Sequence, residues 1–154
     1  MTVPLNDPVF LGRAVERLST LIEVQSEAVF QEYGIVIPVK SCSLMTQLAK
    51  LENATAAELA RALDVSHQLV LQKLPKLLKL QLIVGRQEPE DARKKSFSLT
   101  AKGKQQLQTF LECRELIKAA YTGLFDEVGN LFALTANFTN ALVDKPLSQR
   151  ISRT

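Results

Sequence analysis

Tryptophan is absent from the chain, tyrosine occurs twice and histidine once in 154 residues. One imidazole is too few for most histidine-based metal sites or for a histidine-rich catalytic centre. The two cysteines, Cys42 and Cys113, lie far apart and belong to no Cys-x-x-Cys or Cys/His cluster. They fit reduced, buried thiols better than a disulfide framework or a zinc site. No nucleophile–base pair, phosphate loop or carboxylate dyad stands out, so no enzyme, cofactor or metal is expected. Met1 to Asp7 hold no basic segment leading into an apolar stretch, and no apolar run approaches the ~18 residues of a membrane span. The expected location is the cytoplasm, away from any membrane.

What is present is ordinary for a globular chain: 46% apolar residues and 23% charged ones. That balance buries a core and excludes disorder, and the length fits a single domain with appended helices. Asp7-Pro8 is a helix start, because the carboxylate caps free amides and proline has no amide to satisfy there. Phe10, Ala14, Leu18, Leu21, Gln25 and Ala28 then recur at helical spacing up to Gly34, with Leu11, Val15, Ile22 and Val29 widening the stripe. A second helix is predicted from about Pro38 to Lys50. Thr55-Ala56-Ala57-Glu58 has capping-box spacing before Leu59, Ala60 and Leu63, with hydroxyl and carboxyl each placed to satisfy the other's backbone amide. Ser66 caps a further helix with Val70, Leu74, Leu77 and Leu78 inward. These two helices and their tight turn form a helix-turn-helix. Projection at ~100° per residue gathers Gln68, Gln72, Lys76 and Lys79 on the outer face, with Leu69 and Lys73 at its edge. That face holds no acid.

From Leu82 to Thr100 the apolar period becomes two, predicting strands at Leu82–Val84 and Ser96–Leu99 and a β-hairpin with a charged tip. Two long helices are predicted after Thr100, with a break between them marked by Gly123 and Gly129 and an end at Pro146. The expected fold is mainly α with a small hairpin. Charge is unevenly spread. Lys73 to Lys104 contains nine basic residues against three acids, a surplus of +6 within a chain whose net charge is +3. A solvated lysine-rich face is the bland account of such a run. Its location on an outward helix face and a hairpin tip is where phosphates would be neutralised in a major and a minor groove.

The series Gly34, Thr55-Ala-Ala-Glu-Leu-Ala-Arg-Ala-Leu63, Val65-Ser66, Leu82-Ile83, Asp91-x-Arg93 and Ser98-Leu99-Thr100-x-Lys102-Gly103 resembles the MarR family of bacterial winged-helix regulators. Ser66-His67, Ile37-Pro38 and Pro146 to Ile151 also look like the regulator half of MarR–acetyltransferase fusions, whose enzyme half has no counterpart in these residues. The resemblance implies one domain over 1–154. Within it, a winged helix-turn-helix occupies about 38–103, and N- and C-terminal dimerisation helices occupy about 7–33 and 104–145. It implies a homodimeric transcriptional regulator, a repressor responsive to a small apolar or phenolic effector, acting on a near-palindromic stretch of double-stranded DNA. The wide apolar stripes of both terminal regions call independently for a second copy.

By the same resemblance, Asp91 pairs with Arg93 inside the wing and Arg93 enters the minor groove. Arg86, Lys94 and Lys95 meet phosphates, as Lys73 and Lys76 do from the helix. Gln68 and Gln72 read adenine edges, Leu69 packs on a thymine methyl, and Ser66 bonds a phosphate. His67 is either a structural or capping residue or a further DNA contact. The aromatic residues Phe10, Tyr33, Phe110, Tyr121 and Phe125 are either core or the lining of an effector pocket. The chain departs from the family at Leu71 and Gln72, where arginine or serine is usual, and at Gln81, where glycine is usual. It also departs at Pro75, which predicts a kink in the recognition helix. These departures keep open an alternative, a winged helix turned to protein–protein interaction.

Overall fold

The computed structural model describes residues 1–152, which are mostly helical with one small antiparallel sheet. Asp7 starts the chain's first helix as expected. Its Oδ1 accepts the Val9 amide at 2.9 Å, and a 3-10 turn at Pro8–Phe10 leads into α1 (Leu11–Glu32). Gly34 closes α1 at a φ of +67°, with its amide on the Gln31 carbonyl and the Ile35 amide on that of Phe30. This is a Schellman end, sealed by burial of both Phe30 and Ile35. A second 3-10 turn, Val39–Ser41, precedes α2 (Cys42–Leu51), whose Leu44, Met45 and Leu48 are completely buried.

The sheet has one more strand than the hairpin read from the sequence. Ala54–Thr55 forms a two-residue β1 that pairs with β3 (Lys95–Leu99), and β3 pairs in turn with β2 (Ile83–Gln87), giving the order β1-β3-β2. Thr55 therefore ends a strand and caps α3 (Ala56–Leu63) at once. Its hydroxyl oxygen accepts the Glu58 amide at 3.2 Å. The return half of the expected capping box is different: the Glu58 carboxylate accepts the Thr55 hydroxyl, not a backbone amide.

Asp64, at φ +53°, turns the chain from α3 toward α4 (His67–Lys79). Ser66 caps α4 by accepting the Leu69 amide at 3.1 Å. The helix runs without interruption through Pro75. Pro75 is exposed, so its ring takes no room from the core side formed by Val70, Leu74 and Leu77. The missing proline amide removes one helical bond to Leu71 and leaves the inner packing intact. Gln81 stands at φ +58° in the Schellman end of α4, with its amide on Leu78 and the Leu82 amide on Leu77.

Helix α5 (Ala101–Val128) passes through Gly123, since one glycine inside a long helix costs only about 1 kcal/mol. The break falls at Gly129, at φ +108°. Asn130 then caps α6 (Leu131–Asp144) by accepting the Ala133 amide at 3.0 Å. A short α7 (Leu147–Arg150), which no sequence signal announces, follows Pro146, and the Arg150 guanidinium donates to the carbonyls of Lys145 and Ala141. The chain divides into two compact units, Met1–Glu112 and Cys113–Thr154. The first contains the core of Ile37, Leu44, Met45, Leu48, Leu59, Leu77 and Leu82. In α6 no residue is buried, and Phe132 and Val143 are 76% and 75% exposed. Among the described residues no helix is long and apolar enough to cross a membrane.

Candidate nucleic-acid interface

The candidate interface consists of α4 and the β2–β3 wing, both on the first unit. Burying Val70, Leu74 and Leu77 forces the opposite side of α4 outward. His67, Gln68, Leu69, Gln72, Lys76 and Lys79 are all exposed there, and Ser66 stands exposed at the helix start. Ser66 uses its oxygen as the cap, so its hydroxyl hydrogen is what remains for a phosphate. His67 does not cap; that role belongs to Ser66. Leu69 and Leu71 add apolar surface, 38% and 48% exposed.

Lys73 is placed differently. It is half-buried, and its ammonium donates to the backbone carbonyl of Lys40 at 2.6 Å. Burial lowers its pKa, the neighbouring Lys40 charge lowers it further, and Glu23 acts in the opposite direction. Helical projection puts Lys73 at the edge of the outer face. The structure turns its ammonium toward the Lys40 carbonyl.

The wing is registered by Arg86 opposite Ser96 and Gln87 opposite Lys95. Gly85 sits under the Lys95 stem and the Phe97 ring, where a Cβ would come within 2.8 Å of Lys95 Cε. At the tip the Glu88 amide donates to the Lys94 carbonyl at 2.9 Å, and the Lys94 amide to the Asp91 carbonyl at 3.0 Å. Asp91 Oδ1 accepts the backbone amide of Arg93 at 3.0 Å. The expected side-chain pair between Asp91 and Arg93 is therefore not formed. A two-residue spacing suits the carboxylate to a local turn, and the guanidinium is left outward. The described residues contain ion pairs at Lys40–Glu23 and Arg114–Glu115 and none in the wing. Arg86, Arg93, Lys94 and Lys95 are exposed, and none of them lies within ion-pairing distance of the wing acids Glu88, Glu90 and Asp91.

The Ser98 to Gly103 motif joins the end of α4 to the base of the wing. The Thr100 amide donates to the Leu82 carbonyl and the Thr100 hydroxyl to that of Gln81, at 3.1 and 2.6 Å. The Lys102 ammonium donates to the Leu80 carbonyl at 2.9 Å. Three successive carbonyls at the end of α4 are thus taken by the start of α5. Gln106 makes a similar clamp that no motif announces, accepting the Val36 amide at 2.7 Å and donating to the Gly34 carbonyl at 3.0 Å.

Of the aromatic set, Phe110 packs edge-on against Phe30 with ring centres 5.9 Å apart, and Tyr121 stacks on Phe125 at 6.1 Å. Tyr33 is exposed. Cys42 and Cys113 are free and buried, and burial pushes the Cys42 thiol up to about 12. Among the described residues no His, Cys, Asp and Glu cluster is arranged to hold a metal ion.

No family model matches the sequence, and no curated protein matches it either. Its fold does have solved counterparts. The transcriptional regulator MosR of M. tuberculosis in complex with DNA is 20% identical, with a TM-score of 0.65 over 88% of this chain and 97% of that one. A mutant MarR from E. coli complexed with operator DNA is 17% identical, with a TM-score of 0.63 over 92% and 99% of the two chains. The transcriptional repressor CouR on a 23-mer DNA duplex is also 17% identical, with a TM-score of 0.63 over 94% and 100%. The fold is the MarR-type winged helix-turn-helix, mainly α with a small antiparallel wing.

Proposed function

We propose that this protein is a sequence-specific DNA-binding regulator of transcription that acts as a homodimer on a near-palindromic site and represses. The observation that carries the reading is a juxtaposition. An outward helix face of Gln68, Gln72, Lys76 and Lys79, free of acid, belongs to the same small domain as a wing whose four cations have no ion-pair partner among the described residues. On this reading Gln68 and Gln72 hydrogen-bond adenine edges and Leu69 lies on a thymine methyl. Ser66 and His67 meet the backbone where α4 begins. Lys76, Arg86, Lys94 and Lys95 neutralise phosphates, and Arg93 enters the minor groove. The fold shared with DNA-bound MosR, MarR and CouR supports the same conclusion.

Pairing with a second copy is supported by apolar surface that a single chain leaves in water. Leu11, Val15, Leu18, Leu21 and Val24 of α1 are exposed, as are Leu131, Phe132, Leu134, Phe138 and Leu142 of α6. Contiguous apolar faces of this kind mark association surfaces. A small apolar or phenolic effector that alters the spacing of the two recognition helices completes the reading, and that part rests on the family resemblance.

Selection of genomic fragments bound by the purified chain is the test. Two-fold symmetric sites with half-sites about one helical turn apart are expected, bound with steep salt dependence. Recovery of asymmetric sites would remove the dimer, and recovery of none would remove the DNA reading. The second reading, a protein-interaction module, is favoured by Pro75 and the exposed Leu71 on the same helix. It predicts no enriched fragment and a stable protein partner in pull-down.

A further inference from the structure

Lys73 differs from the other lysines of α4 in having a backbone partner on a neighbouring element. Its ammonium donates to the Lys40 carbonyl at 2.6 Å, in the 3-10 turn that joins α1 to α2. The Lys40 ammonium in turn pairs with Glu23 of α1 at 2.9 Å. The line Glu23, Lys40, Lys73 therefore runs from α1, through the entry to α2, to the middle of the recognition helix. Two ammonium groups are brought to one residue's neighbourhood, and Glu23 supplies the opposing charge. Glu23 is 30% exposed and Lys73 half-buried, with Lys40 between them 55% exposed, so solvent screens the Glu23 and Lys73 charges less than it screens Lys76 or Lys79.

Building on the DNA-binding reading, we propose that Lys73 is a positioning residue and not a phosphate contact: it straps the recognition helix to the α1–α2 junction, and Glu23 holds the strap closed. To reach a phosphate, the Lys73 ammonium must first break a charge-assisted bond to Lys40. In place, it fixes the middle of α4 to the junction that follows α1. Since α1 also carries an exposed apolar stripe that a second copy would cover, the strap carries a displacement of α1 to the aim of α4. Its two ends are thus a pairing helix and a reading helix, the elements an effector must couple.

The strap makes a prediction of unusual sign. Removing a negative charge from a DNA-binding protein raises DNA affinity on electrostatic grounds, yet Glu23→Gln here lowers it. The experiment measures equilibrium binding of a selected duplex by the full chain across a salt series, for wild type, Lys73→Met, Glu23→Gln, the double variant and Lys76→Met. Lys73→Met is expected to weaken binding about tenfold with the salt slope unchanged. Glu23→Gln weakens it in the same direction, and the double variant is no weaker than Lys73→Met alone. Lys76→Met, the phosphate-contact comparison, lowers the slope by about one. A slope lowered by about one in Lys73→Met, or affinity raised by Glu23→Gln, overturns the strap.

If wild type captures no duplex, the DNA reading fails separately and hydrogen exchange decides the strap. Faster exchange around residues 39–45 and 67–73 in both Lys73→Met and Glu23→Gln upholds it. Unchanged exchange overturns it.

Discussion

A side chain of any size at Gly103 would overlap the carbonyl oxygen of Leu82. The same oxygen accepts the Thr100 amide at 3.1 Å, so the first turn of α5 is pressed directly onto the junction between α4 and β2. Gly103 is required there for its lack of bulk. Gly103→Ala is expected to destabilise the fold by about 2–3 kcal/mol, because neither backbone segment has room to yield. Urea denaturation checks this, and an unchanged midpoint would show that the contact relaxes freely.

Gln81 occupies a left-handed position at φ +58° that glycine adopts without steric cost. Gln81→Gly is therefore expected to stabilise the protein by up to about 1 kcal/mol, after the greater freedom of the unfolded glycine is subtracted. For a domain of this size that is a rise of about 2–4 °C in Tm, measurable by scanning calorimetry. A fall in Tm would mean that the Gln81 side chain contributes something its backbone geometry does not show.

Much of this arrangement is legible in the sequence because its causes are local. Ser66 and Thr55 announce helix starts by their position before apolar periodic runs, and alternation around Phe97 announces a strand. Strand β1 is invisible for the opposite reason: two residues have no period, and Ala54 becomes a strand residue only because Phe97 lies opposite it. The bond from Lys73 depends on a carbonyl 33 positions away, which no helical projection contains. Spacing associates Asp91 with Arg93 correctly as residues but not as atoms, since a carboxylate two residues before an amide is closer to that amide than to a long guanidinium. Of the two glycines that mark the break after α5, Gly129 makes it, while Gly123 is a minor defect inside a long helix.

The wing separates into an arginine that reaches out and an aspartate that holds its backbone. Arg93→Ala is expected to weaken DNA binding by about tenfold or more and to lower the salt slope, with Tm unchanged. Asp91→Asn keeps an oxygen for the Arg93 amide and is expected to retain or improve binding. Asp91→Ala loses the turn and weakens it. Fluorescence anisotropy on one duplex distinguishes these outcomes. Equal losses in Asp91→Asn and Asp91→Ala would restore a charge-based role for Asp91.

Cys42 gives the stability curve an alkaline limb. Its thiol is buried beside the Pro38 carbonyl, and burial pushes its pKa up to about 12 from an ordinary value near 9. A pKa raised by folding means that the stabilising difference is complete below the unfolded value and is lost as pH climbs toward the folded one. Between about pH 9 and about pH 12, Cys42 should therefore cost roughly 1 kcal/mol of stability per pH unit. Cys42→Ala is expected to be less stable than wild type at neutral pH, through the lost packing, but to lose less of that stability between pH ~8 and ~10. Denaturant titrations of both proteins at the two pH values test it. Parallel losses in the two would place the thiol in a more polar setting.

The three carbonyls of Leu80, Gln81 and Leu82, all held by Thr100 and Lys102, have a kinematic consequence. The recognition helix ends at this knot, the wing begins there, and α5 leaves from it. A hinge placed at residues 80–82 or 100–102 would have to undo several bonds at once, so the helix end and the base of the wing pivot together. In the proposed DNA-bound dimer, groove spacing would then be adjusted by turning whole protomers against the duplex, and the softness that such turning needs would reside elsewhere in the chain.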